Sequence, residues 1–117
     1  MRYTIIPLLL LGIAFSATAQ ESNSDLALAE AYYAQGDWKN AARSYDLVIR
    51  EDTEAPFVLQ KLSYSLMKMR HEDRARIVLD RLIELQPDNE VAHFNLGLLY
   101  WRTQRPLMAI PCFEAAC

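Results

Sequence analysis

The amino-acid sequence predicts an all-helical protein in which antiparallel helix pairs stack one on the next into a solenoid. Three observations predict it. Set against itself at a shift of 34 residues, the apolar pattern returns twice without a gap. Each unit divides into two amphipathic segments of about 12–14 residues, with apolar side chains at helical rather than strand spacing. Small residues recur where two helices of a pair would cross, and large ones recur beside them to fill the gaps.

The first twenty residues stand apart from this pattern. Arg2 gives a short positive start, and Ile5 to Phe15 form an uncharged apolar run. Ala17-Thr18-Ala19 then supplies the small-x-small sequence that a signal peptidase reads. As a helix the apolar run spans roughly 15–17 Å, far short of a ~30 Å hydrocarbon core. The expectation is a signal peptide over residues 1–19, cleaved after Ala19, and a periplasmic or secreted mature chain over 20–117 with no membrane span.

Within residues 20–117 the units fall at about 22–55, 56–89 and 90–117, the last incomplete. Six columns are in register: Leu28, Leu62 and Leu96; Ala29, Ser63 and Gly97; Tyr32, Leu66 and Tyr100; Ala41, Ala75 and Ala109; Tyr45, Leu79 and Phe113; Val48, Leu82 and Ala116. Chance similarity between amphipathic helices does not give six columns three deep. The expected helices are 25–34, 38–51, 56–69, 72–85, 90–103 and 107–117. Gly36-Asp37 marks the turn inside unit one. In unit two Pro56 suits a first helical turn, where its missing N–H would have been unpaired anyway. His71-Glu72-Asp73 opens the next helix with acids at its positive end. Asp88-Asn89 is a cap for the first helix of unit three.

These columns resemble the tetratricopeptide repeat, with its leucine, small residue, tyrosine, alanine, phenylalanine and late proline. Leu96-Gly97-x-x-Tyr100 with Ala109, Phe113 and Ala116 is similar to it most closely, and Pro87 stands at the late proline position. The resemblance implies a right-handed superhelical stack and a protein-binding role without catalysis. Pro111 falls inside the last helix, where an interior proline costs about 3 kcal/mol. The sequence stops at Cys117 without a further helix to cover Phe113 and Ala116. The expectation is that the array continues in a longer polypeptide, or that another chain covers this end by self-association. Cys112 and Cys117 lie about 140° apart around a helix, poor geometry for a bridge, and are assigned no chemistry.

Several functions are disfavoured by what the sequence lacks. A formal charge of −3 without a basic stripe argues against nucleic acid. No phosphate loop, zinc-binding helix motif or nucleophile elbow is present, so no enzyme, cofactor or metal is expected. What remains is the face of each unit's first helix that points away from the core stripe. There the resemblance implies a concave groove for a peptide or a partner's helix. The residues placed in it are Glu30, Tyr33, Phe57, Gln60, Tyr64, Lys68, Phe94, Asn95, Trp101 and Arg102, with Leu26, Met67, Val91 and Leu98 on the same side. The carboxylate clamp of one chaperone-binding subclass is not assembled, since Leu26, Glu30, Lys61, Val91 and Asn95 stand at its places. The reading is an envelope scaffold or adaptor; the alternatives are a regulatory or sensor segment of a longer polypeptide and a self-association module.

Overall fold

A computed structural model describes residues 24–50 and 54–117. The expected signal peptide over residues 1–19 and its cleavage after Ala19 lie outside the described residues. Residues 24–34 form α1, followed by α2 (Trp38–Arg50), α3 (Pro56–Lys68), α4 (Glu72–Leu85), α5 (Glu90–Arg102) and α6 (Pro106–Ala116). No strand occurs among the described residues. Each helix bound that falls among them lies within one residue of its expected place. Helices pack as hairpins, α3 on α4 and α5 on α6, while α2 on α3 and α4 on α5 join successive units. The first helices of units two and three, α3 and α5, also touch each other. The fold is an all-α solenoid of paired helices.

The repeat columns account for the core. Ala41, Ala75 and Ala109 are wholly buried, as are Tyr45, Leu79 and Leu82: the alanines let paired helices approach, and the larger side chains fill the flanking gaps. In unit three a Cβ on Gly97 would lie 2.6 Å from the Phe113 ring, so only glycine leaves room for that ring. Two buried serines are bonded to their own helix. Ser63 Oγ donates to the Gln60 carbonyl at 2.7 Å and Ser65 Oγ to the Lys61 carbonyl at 2.9 Å. Leu28 departs from its column, being half exposed where Leu62 and Leu96 are buried. It lies on α1, and among the described residues no helix precedes α1 to cover it.

Three equivalent turns join the paired helices, and each contains one residue in the left-handed region: Gly36 (φ 74°), Arg70 (φ 63°) and Gln104 (φ 61°). The following N–H closes each helix end by donating back five residues, Asp37 to Tyr32, His71 to Leu66 and Arg105 to Tyr100, at 2.8–2.9 Å. Only unit one spends a glycine there; in the others the repeated closure holds a side-chain-bearing residue in that conformation. Asp37 Oδ1 accepts from the Asn40 N–H at 3.3 Å, and Asn89 Oδ1 from the Ala92 N–H at 3.0 Å. The expected cap at Asn89 is therefore made. Helix α6 runs unbroken through Pro111. The carbonyl that Pro111 leaves unpaired belongs to Leu107, and both residues lie at the surface, where water can bond it.

Candidate interaction groove

The candidate face belongs to α1, α3 and α5. On α3 the buried residues Val58, Leu59, Leu62, Ser63, Ser65, Leu66 and Met67 span an arc of about 200°. Phe57, Gln60, Lys61, Tyr64 and Lys68 fill the remaining strip. The helix is flanked by α2, α4 and α5, so burial extends well beyond a single stripe. Met67, expected in the groove, falls within that arc and is core. On α5 the corresponding strip carries Val91, Phe94, Leu98 and Arg102.

The strip has two unlike halves. Toward α1 the rings of Tyr33, Trp38 and Tyr64 touch in a triangle, with centroids 5.4, 5.5 and 5.9 Å apart and two of the contacts edge-on. Offset and edge contacts of this kind add to plain burial. Lys61 Nζ lies 5.2 Å from the Tyr33 centroid and Lys68 Nζ 5.4 Å from that of Tyr64. Lys61 is also ion-paired to Glu30 across α1 and α3. Burial first, then Tyr64 and Glu30, push the Tyr33 hydroxyl above the usual tyrosine range. This half is closed: its rings engage one another and Lys61 is taken up by Glu30, while Lys68 stays exposed at its edge. Trp38 was not foreseen in it. The signal was its place directly after Gly36-Asp37, where a turn folds the start of α2 back on the end of α1.

The other half is open. Phe57 is 50% exposed, Phe94 48% and Trp101 64%, and Val91 beside them is also exposed. Phe57 carries most weight, because it stays exposed in a unit with a further helix pair packed after it. Phe94 is shared, with its ring 5.9 Å from Phe113 of α6. Trp101 stands in the column of Tyr33 and Met67, both of which are covered in their own units, so its exposure belongs to the end surface as much as to the groove. Gln60 accepts from Asn89 Nδ2 at 3.2 Å and is thereby oriented at the edge.

Two expected rim residues are placed differently. Asn95, expected at the edge, is buried; it stands in the column of Lys61, which on α3 faces the preceding unit through its ion pair with Glu30. Arg102 reaches back to unit two, 3.0 Å from Glu72 Oε1 and 3.4 Å from the Met67 carbonyl. It ties α5 to α3 and α4 instead of standing free. Lys68 is exposed and makes no ion pair among the described residues. Among those residues no group of three or more His, Cys, Asp or Glu side chains is placed to share a metal ion. Nor is any described helix long and apolar enough to cross a membrane.

Two family models, each described as tetratricopeptide repeat, match residues 26–56 and 61–117, between them about three quarters of the chain. Among solved structures, MamA AMB-1 superposes with a TM-score of 0.78 at 20% identity, covering 86% of this chain and 56% of that one. MamA MSR-1 gives 0.78 at 19% identity, covering 94% and 62%. The TPR2B domain of yeast Sti1, solved as a complex with pHsp70, gives 0.74 at 18% identity, covering 83% and 78%. This chain thus spans little more than half the length of the MamA chains it matches. No curated protein matches by sequence. With the 34-residue period, the repeated turns and the paired-helix stack, these matches establish that the chain belongs to the tetratricopeptide-repeat family.

Proposed function

We propose that the chain is an exported protein-interaction scaffold, holding a peptide or a helix of a partner protein along the open half of the α3–α5 face. The carrying observation is the exposure of Phe57 in an internal unit, continued on the neighbouring helix by the exposed Val91 and Phe94 with the half-buried Leu98 beside them. A solvated face does not collect side chains of this kind; a contiguous apolar patch edged by polar groups marks a recognition surface. Lys68 and Gln60 edge it and would steer the partner's approach, while the apolar residues would hold it. Arg2, the Ile5–Phe15 run and Ala17-Thr18-Ala19 support export.

Two experiments test these readings. A photo-crosslinking amino acid at Phe94 should trap one partner in cells, and Phe57→Ala should abolish the adduct. The same group at Leu47, exposed on α2 away from this face, should trap none. Equal adducts at both positions, or an adduct indifferent to Phe57→Ala, would place recognition elsewhere. For export, the intact mass of protein made in a Gram-negative host should begin at Gln20; retention of Met1 would overturn it.

A further inference from the structure

The α3–α5 face is charged at its two ends and apolar between them. Helices α3 and α5 run in the same direction, each folding back into an antiparallel partner. At their starts Asp88 and Glu90 are exposed and form no ion pair among the described residues. At their ends Lys68 is likewise exposed and unpaired, with the exposed Arg70 in the turn beyond it. Other charges on this side cancel, Lys61 against Glu30 and Arg102 against Glu72. Lys68 keeps its exposure although α5 is packed after its unit, and so does Glu54, which stands in the column of Asp88. Lys68 shares the column of Arg102, so the cationic end lies roughly 18 Å from Glu90 along the helices, at about 1.5 Å per residue.

We propose, on the reading that this face is the recognition surface, that its occupant is an amphipathic helix lying antiparallel to α3 and α5, with acidic residues in its first turn and basic residues in its last. About 12–14 residues span the distance between the charged ends. In this direction the acids of the first turn meet Lys68 and Arg70, and the bases of the last turn meet Asp88 and Glu90. A helix carries those same charges at those same ends to offset its own dipole, so both requirements agree. A parallel helix would have to oppose like charges or give up that offset. The strip also favours a helix over an extended peptide. Phe57, Val91, Phe94 and Leu98 have no polar side-chain atom, and the Gln60 oxygen is taken by Asn89. A strand laid on them would leave backbone N–H and C=O groups unpaired, whereas a helix satisfies its own. Val91, Phe94 and Leu98 follow the i, i+3, i+7 spacing at which one helix meets another.

Two labelled synthetic peptides of about 16 residues test this by fluorescence anisotropy at low salt. Both carry leucines at helical spacing on one face. One has glutamates in its first turn and lysines in its last, and the other has the two turns exchanged. The first should bind at least about tenfold more tightly and gain helical signal as it binds. Lys68→Glu combined with Asp88→Lys and Glu90→Lys should remove that preference, with a circular-dichroism melt showing that the fold survives. Phe57→Ala should weaken the first peptide, placing it on this face. Equal binding of the two peptides, a preference that survives the charge reversal, binding without gain of helix, or no binding at all would overturn the proposal. So would binding indifferent to Phe57→Ala. If the proposal fails while the adduct at Phe94 is still lost in Phe57→Ala, the recognition surface stands with a different occupant. If that adduct is absent as well, the surface itself is elsewhere.

Discussion

Tyr45→Ala should lower the unfolding free energy by about 3–5 kcal/mol, whereas Tyr45→Phe should raise it by about 1 kcal/mol. The ring of Tyr45 is wholly buried on α2, with the Tyr33 ring 6.3 Å away, so truncation leaves a cavity at the centre of unit one. Its hydroxyl is buried near the Glu30 carboxylate but closes no hydrogen bond of good geometry among the described residues. Burial first, and the nearby Glu30 carboxylate second, hold that phenol far above the usual tyrosine range. Glu30 is close enough to act through its charge, but it is engaged with Lys61. An unpaired buried hydroxyl is a liability that phenylalanine removes without changing the packing. For a domain whose whole stability is about 5–15 kcal/mol, the alanine variant should lose most of its helical signal at moderate urea. Urea titrations followed at 222 nm decide both parts. A midpoint for Tyr45→Phe below that of the wild type would mean that the hydroxyl is bonded in solution, most directly to Glu30.

The period of 34 made most of this fold legible. One repeat copied three times averages out local ambiguity, so Ala41, Ala75 and Ala109 identify a crossing that no single helix would reveal. Asn89 and Pro56 were legible because helix starts use local chemistry. The groove was less so. A helical wheel divides α3 into a core face and an outer face, but α3 lies among three neighbours, and Met67 falls on the extra arc they cover. Asn95 misleads for a similar reason: a polar type suggests an edge, yet its column is that of Lys61, which faces the preceding unit. Arg102 has the right residue type for a rim, and only tertiary structure shows Glu72 within reach. The left-handed residues at Arg70 and Gln104 carry no glycine to announce them, and only their alignment with Gly36 marks the turn.

Binding and stability should separate cleanly between Phe57 and Tyr100. Phe57→Ala should weaken partner binding by roughly 2 kcal/mol, about thirtyfold in Kd, because apolar anchors carry most of the affinity at such surfaces. Stability should stay within about 0.5 kcal/mol, since the ring is half exposed and lies outside the buried arc of α3. Tyr100→Ala should do the reverse. At 9% exposure its ring fills the space between α5 and its neighbours, and its loss should cost about 3 kcal/mol of folding free energy. Any effect on binding should then follow only from the unfolded fraction. Trp101→Ala lies between them: it should leave stability unchanged, and its effect on affinity reports how far the partner extends toward the end of α5. Urea titration gives the stabilities, and isothermal titration with the partner trapped at Phe94 gives the affinities. If Phe57→Ala unfolds the protein as readily as Tyr100→Ala does, Phe57 is a core residue and the open half of the α3–α5 face is not a recognition surface. If it does neither, the partner sits elsewhere on the solenoid.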